Sequence, residues 1–146
     1  MATKYTSQCK VIFCVGTGDL ELQYAVDDHI VIYGDGLTVA TSRSDTTHIP
    51  SNTRVLAFQA SNAGGPKAVV IWLSNGVVSD TSWRCTDDQP AGAAWMYAGF
   101  DDSGWLNATS VIYPADDNML GMINAGATQI WGDCGECDTI YCRRDI

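Results

Sequence analysis

The sequence predicts an all-β protein, an antiparallel sandwich or barrel, from three observations. Short runs of apolar residues alternate with polar ones, turn signals separate these runs at close intervals, and glycines spread along the whole chain. The 14 glycines leave little room for a long helix. With 146 residues and 46% hydrophobic content, residues 1–146 are expected to form a single domain with one core.

The first two predicted strands lie in residues 19–36. In 19–26, DLELQYAV, leucine, tyrosine and valine alternate with Glu21, Gln23 and Ala25, which is the period of a half-buried strand. The run 29–36, HIVIYGDG, is rich in β-branched residues and ends in a Gly-Asp-Gly turn signal.

The middle and the end of the chain supply four more strands. Residues 53–62, TRVLAFQASN, place Leu56, Phe58 and Ala60 on one face. Residues 68–76, AVVIWLSNG, form a nearly continuous apolar run closed by an Asn-Gly turn, as expected of a central strand covered on both sides. Two short strands, TQIWGD and TIYCR, are predicted near the end of the chain.

The charge of the chain limits its partners. Its net charge is −9, with 17 acidic residues against 8 basic ones, and such a surface repels nucleic acid phosphates. No apolar run approaches the ~20 residues needed to cross a bilayer, so membrane insertion is not expected. Asp-rich loops suit calcium, although aspartate is also an ordinary turn former.

Six cysteines predict disulfides and an oxidising, extracellular compartment, even though the first residues, MATKYTSQ, show no signal peptide. They are Cys9, Cys14, Cys85, Cys134, Cys137 and Cys142. The alternative is a zinc site that uses the last four. Asn107-Ala108-Thr109 matches the N-glycosylation pattern and makes Asn107 a candidate glycosylation site.

An ordered set of motifs resembles the galactose-binding-domain-like jelly rolls, which occur as lectins, adhesion modules and ancillary domains of glycosidases. The motifs are AVDDHIVIYGDG, the pair of long strands joined at SNAGGP, VVSDTSWRC, GFDDSGWLNAT and IWGDCGECDTIYCR. The resemblance covers residues 11–143 and implies an antiparallel β-sandwich of the jelly-roll type.

The resemblance also implies roles for individual residues. Phe100 and Trp105 would enter the core, while Asp101, Asp102 and Ser103 would bind local backbone N–H groups. Asp27 and Asp28 would begin a strand, with a metal or sugar site as the alternative.

The same resemblance places Cys85 and Cys142 on neighbouring terminal strands, so these two are expected to pair. Cys9 and Cys14 would pair with each other across a turn or bulge, or with the Cys134/Cys137 loop.

Two loops are the candidate ligand site. They combine oxygen-bearing side chains with a nearby aromatic ring, which suits sugar hydroxyls and the apolar face of a sugar ring. The residues are Trp95 as the stacking ring, Asp116, Asp117 and Asn118 in one loop, and Asp133 and Glu136 in the other. The first three oxygen-bearing residues would equally suit calcium, and a solvated turn and a hairpin tip are the plainer alternatives.

No nucleophile, metalloprotease or phosphate-loop motif is present, so we expect a non-catalytic protein that requires no cofactor, with calcium as an optional ion. The function predicted is that of a secreted lectin, with galactose-type glycans favoured by the resemblance alone and a homo-oligomer adding avidity. The alternatives are an adhesive extracellular protein that binds proteins and an ancillary domain of a glycosidase.

Overall fold

The protein is a β-sandwich of two antiparallel sheets, as seen in a computed structural model that describes residues 18–146. The strands in chain order are β1 (Leu20–Asp27), β2 (His29–Gly34), β3 (Leu37–Ala40), β4 (Ser44–Ile49), β5 (Val55–Ser61), β6 (Ala68–Leu73), β7 (Arg84–Thr86), β8 (Leu106–Asn107), β9 (Thr109–Ser110), β10 (Ile130–Trp131) and β11 (Thr139–Asp145). A 3₁₀-helix spans Ala94–Met96, and the helix α1 spans Asp117–Asn124.

One sheet has five strands in the order β4-β1-β6-β10-β9, and the other has six in the order β3-β2-β5-β11-β7-β8. The core lies between them. Alternate residues of β1 and β6, such as Leu22 and Ile71, face alternate residues of β5 and β11, such as Phe58 and Ile140, and all four are fully buried. The predicted all-β sandwich is therefore confirmed, and the six strands predicted from sequence are all present.

The outer face of the five-stranded sheet is covered by α1, which the sequence did not predict. Met119 and Met122 pack on Ala25, Ala68 and Val70, the small or branched residues on the outside of β1 and β6. This cover explains why β6 is apolar on both faces.

The outer face of the six-stranded sheet is covered by residues 94–105. Trp95 packs on Ala57 and Tyr141, with Phe100 and Trp105 half-buried beside it. The expectation that Phe100 and Trp105 enter the main core is therefore wrong, because they belong to a separate cluster on the outside of this sheet.

Arg143 holds this cover in place from β11. Its Nε donates to Trp95 O at 2.8 Å, its guanidinium donates to Tyr97 O at 3.0 Å, and it forms an ion pair with Asp102. Asp102 therefore does not bind a local N–H group as expected, whereas Asp101 does, accepting from Ser103 N at 3.1 Å. The hydrogen bonds from the Ser103 hydroxyl and N–H lower the pKa of Asp101.

Disulfides join Cys85 to Cys142 and Cys134 to Cys137. The first pair confirms the expected bond between β7 and β11, and together the pairs rule out a zinc site built from these four cysteines. The predicted pairings of Cys9 and Cys14 involve residues that lie outside the described part of the chain.

Between Gly18 and Ile146, no helix has the length and apolar character needed to span a bilayer.

Candidate functional site

The loops at one end of the sandwich bring several acidic residues of the described chain to one place. The turn at Asp28 and the turn of residues 62–67 meet the loop of residues 132–138 there: Asn62 N donates to Asp138 O at 2.8 Å, and Lys67 Nζ donates to Cys137 O at 3.0 Å. Residues 87–88 leave β7 at the same end, because Thr86 pairs with Tyr141 near the start of β11. We call this end, formed by Asp28 and residues 62–67, 87–88 and 132–138, the acidic end.

A buried hydrogen-bond network lies at the centre of the acidic end. The side-chain NH₂ group of Asn62 donates to Pro66 O at 2.9 Å, to a carboxylate oxygen of Asp28 at 3.1 Å and to Gly64 O at 3.2 Å, and the side-chain oxygen of Asn62 accepts from Gly64 N at 3.2 Å. Asn62 is only 7% exposed. We call Asp28, Asn62, Gly64 and Pro66 the oxygen cluster.

The charge on Asp28 is stabilised by its surroundings. Asp28 accepts a hydrogen bond from Ala63 N at 2.8 Å, and this bond, with a second from Asp27, lowers the pKa of Asp28. Burial and the neighbouring Asp28 carboxylate raise the pKa of Asp27. Asp28, the more exposed of the two, is therefore the carboxyl group that stays ionised, and it belongs to the oxygen cluster.

A cleft of about 290 Å³ opens beside the loop of residues 132–138. It is lined by residues 85–88, 104–106 and 132–134. Asp87, Asp88 and Asp133 supply carboxylates, and the half-buried Trp105 supplies an aromatic ring. We call this the acidic cleft.

The disulfide loop separates the acidic cleft from the oxygen cluster. Cys134 lines the cleft, while the carbonyl of Cys137 accepts from Lys67 and from Trp131 Nε1 at 3.2 Å. Lys67 also pairs with Asp138 at 3.1 Å. The loop is thus fixed at both ends, which lowers the entropy cost of ordering it around a ligand. Glu136, predicted as a site residue, lies in this loop and is exposed.

The other predicted loop is the start of α1 rather than a free turn. Asp116 caps the helix by accepting from Met119 N at 3.0 Å, Asp117 lies in the first turn, and Asn118 Nδ2 donates to Ser44 Oγ at 3.2 Å. Asp116 and Asn118 line a shallow hollow with Arg43 and Ser44. The negative charge of Asp116 also raises the pKa of Asp27, so this hollow lies next to the acidic end.

Trp95, the predicted stacking ring, is only 4% exposed. Its ring is enclosed by Tyr33, Trp105 and Tyr141, with ring centroids 5.8–6.1 Å away. This burial leaves no face of the ring for a sugar in this conformation. The ring that lines the acidic cleft is Trp105, ten residues further along.

Sequence reasoning did not select Trp105, Asp87, Asp88 or the oxygen cluster. Two features of the sequence could have indicated these residues. One is the Asp-Asp pair directly after the Cys85 strand, and the other is the Asn-Ala-Gly-Gly-Pro turn, in which an amide and backbone carbonyls are close in sequence. Within residues 18–146, no three His, Cys, Asp or Glu side chains are grouped to hold a metal.

One comparison with known proteins found a partial match. The chain is 41% identical over 66 residues to an alpha-L-rhamnosidase of Streptomyces avermitilis, and the match covers 40% of this chain and 6% of that enzyme's length. No family model matches the chain, and no solved structure matches it.

Proposed function

We propose that the protein is a non-catalytic, extracellular carbohydrate-binding domain that binds a sugar in the acidic cleft. The observation that carries the proposal is the combination, in one cleft, of the Trp105 ring with the carboxylates of Asp87, Asp88 and Asp133. An aromatic ring packs against the apolar face of a sugar, while carboxylates accept hydrogen bonds from its hydroxyls.

The partial similarity to a glycosidase supports this proposal. The enzyme is far longer than this chain, and the match spans 6% of it, which suits a shared small domain rather than a shared catalytic centre. This observation also favours the related function of an ancillary domain of a glycosidase, of the galactose-binding-domain-like type that the motifs resemble.

Two classes of sugar are the first to test. The motif resemblance favours galactose-type glycans, and the name of the relative adds terminal α-L-rhamnose. The two disulfides fit an oxidising compartment, where such glycans are displayed.

The proposal is tested by titrating the full chain with methyl α-L-rhamnoside and methyl β-D-galactoside in a calorimeter. Asp88→Asn removes one charged acceptor of a hydroxyl and should weaken binding of the preferred sugar about tenfold. Asp19→Asn, which changes an exposed aspartate away from the acidic end, is the matched control and should bind like the parent.

Asp117→Ala tests the competing position at the start of α1. If this variant loses affinity and Asp88→Asn does not, the sugar binds in the hollow beside α1. If neither sugar binds the folded parent, the assignment to these sugars is wrong.

Calcium is proposed as an accessory ion at the start of α1, where Asp116, Asp117 and Asn118 offer hard oxygen ligands. Calcium binding should raise the melting temperature of the parent, because an ion that binds only the folded state stabilises it. Asp117→Ala should abolish this rise, whereas Asn75→Ala, in an exposed turn, should keep it. An unchanged melting temperature of the parent in millimolar calcium would contradict the ion site, and EDTA shows whether sugar binding needs the ion.

A further inference from the structure

Among the described residues, the last strands of the two sheets lie next to each other on one side of the sandwich. Within residues 18–146, β8 is the last strand of the six-stranded sheet and β9 is the last strand of the five-stranded sheet. Only Ala108 separates them, and it is buried, with its N–H donating to Trp83 O at 2.8 Å. The chain therefore passes from one open edge directly to the other.

These edges lack the features that protect open strands. Open edges pair with other chains unless charges, prolines or bulges prevent it. Residues 106–113, LNATSVIY, contain no charged residue and no proline. One side of this stretch is already paired with its own sheet, since Thr109 pairs with Trp131 and Val111 N donates to Gln129 O at 2.9 Å.

The exposed side of this stretch includes two large apolar side chains. Ile112 is 95% exposed and Leu106 is 55% exposed. By contrast, the open edge on the other side of the five-stranded sheet, β4, carries Asp45 and His48. The uncharged edge is thus the one at which association between copies would be expected.

The glycosylation sequon lies across both open edges. Asn107 is in β8, Thr109 is in β9, and both are exposed on the two sides of the buried Ala108. A glycan attached at Asn107 would stand over β8 and β9 together.

We propose that Asn107 carries an N-linked glycan whose role is to shield the open edges of β8 and β9 from pairing with a second copy of the chain. The donor is a lipid diphosphate oligosaccharide. The Asn107 amide nitrogen bonds to C1 of its first sugar, the bond from C1 to the diphosphate oxygen breaks, the amide loses one proton, and the lipid diphosphate leaves.

The first test is occupancy. The full chain is directed through the secretory pathway of a eukaryotic cell line, and the secreted protein is analysed by intact mass and peptide mass spectrometry. We expect a glycan on Asn107 and, in the control Thr109→Ser, which keeps the sequon, the same modification. Secreted, folded protein with Asn107 unmodified would overturn the proposal.

The second test is the role of the glycan. The variants Asn107→Gln and Thr109→Ala both lose the sequon. Light scattering should show that each has an apparent mass at least twice that of the glycosylated parent. Adding Ile112→Lys to Asn107→Gln places a charge on the same edge and should restore the mass of the parent.

A third comparison covers the case in which an unglycosylated variant is not secreted. The purified parent is trimmed with an endoglycosidase that leaves a single sugar on Asn107, so that no charge is introduced. Trimmed parent should associate as the variants do. Equal masses for the trimmed and untrimmed protein would overturn the shielding role, even with Asn107 fully occupied.

Discussion

At the acidic end, two adjacent carboxyl groups have pKa values shifted in opposite directions. The pKa of Asp27 is raised by burial and by the neighbouring Asp28. The pKa of Asp28 is lowered by the hydrogen bond from Ala63 N–H and by Asp27. Arg43 lies 3.8 Å from Asp27, but both side chains are partly exposed, so this ion pair contributes at most about 1 kcal/mol. Ionised Asp27 therefore costs stability.

Asp27→Asn tests this cost. Because the folded-state pKa of Asp27 lies above its unfolded value, the stability it contributes is present below the unfolded pKa and lost as pH rises through the folded pKa. Asparagine does not ionise, so the variant should melt above the parent at pH 7, and the difference should close below about pH 3.9. Melting curves between pH 2.5 and 8 measure it; a variant less stable than the parent at pH 7 contradicts the account.

The two tryptophans of residues 94–105 show why single residues of the site were hard to predict. Trp95 and Trp105 both lie near polar loops in the sequence, and either ring could have faced a ligand. Trp95 is buried because it packs on the outside of β5 and β11, where Ala57 and Tyr141 accept it. Those partners are far from it in sequence, so local patterns do not report the burial.

At the scale of elements, the cover formed by residues 94–105 depends on Arg143. The Arg143 side chain is 3% exposed and binds two backbone carbonyls and Asp102. It also lies 5.5 Å from the centre of the Phe100 ring. Trp105, which lines the acidic cleft, belongs to the same cover and donates its backbone N–H to Asp102 O at 2.9 Å.

Arg143→Leu should lower the free energy of unfolding by about 3 kcal/mol, since it leaves the buried partners of a charged group unpaired. Arg144→Leu is the matched control, because Arg144 lies 3.7 Å from Asp80 in a partly exposed pair and should cost less than about 1 kcal/mol. Urea unfolding measures both. Similar losses for the two variants would contradict the clamping role of Arg143.

Six of the eleven described strands were predicted from the sequence pattern, and α1 was not. The alternation of apolar and polar residues in β1 and the apolar run of β6 are local sequence patterns that match the burial of these strands in the fold. The helix has eight residues, includes Gly121 and begins in a run of polar residues that also suits a turn. Its stability comes from Met119 and Met122 packing on Ala25, Ala68 and Val70, a contact between distant parts of the chain.

At the scale of the whole molecule, the sandwich brings three separate segments to one end. The acidic cleft takes residues from 85–88, 104–106 and 132–134, and the disulfide between Cys134 and Cys137 fixes the last of them. The ordered motifs predicted the sandwich because each marks a strand or a turn. They could not predict the cleft, because its residues meet only after both sheets have formed.

Carbohydrate binding is the central claim, and a glycan array tests it most directly. The fluorescently labelled full chain is applied with and without calcium, beside Asp88→Asn and the Asp19→Asn control. We expect the parent to bind glycans that share one terminal sugar, of the rhamnose or galactose class, and Asp88→Asn to bind them markedly less. A folded parent that binds no glycan on the array, with or without calcium, would contradict the account.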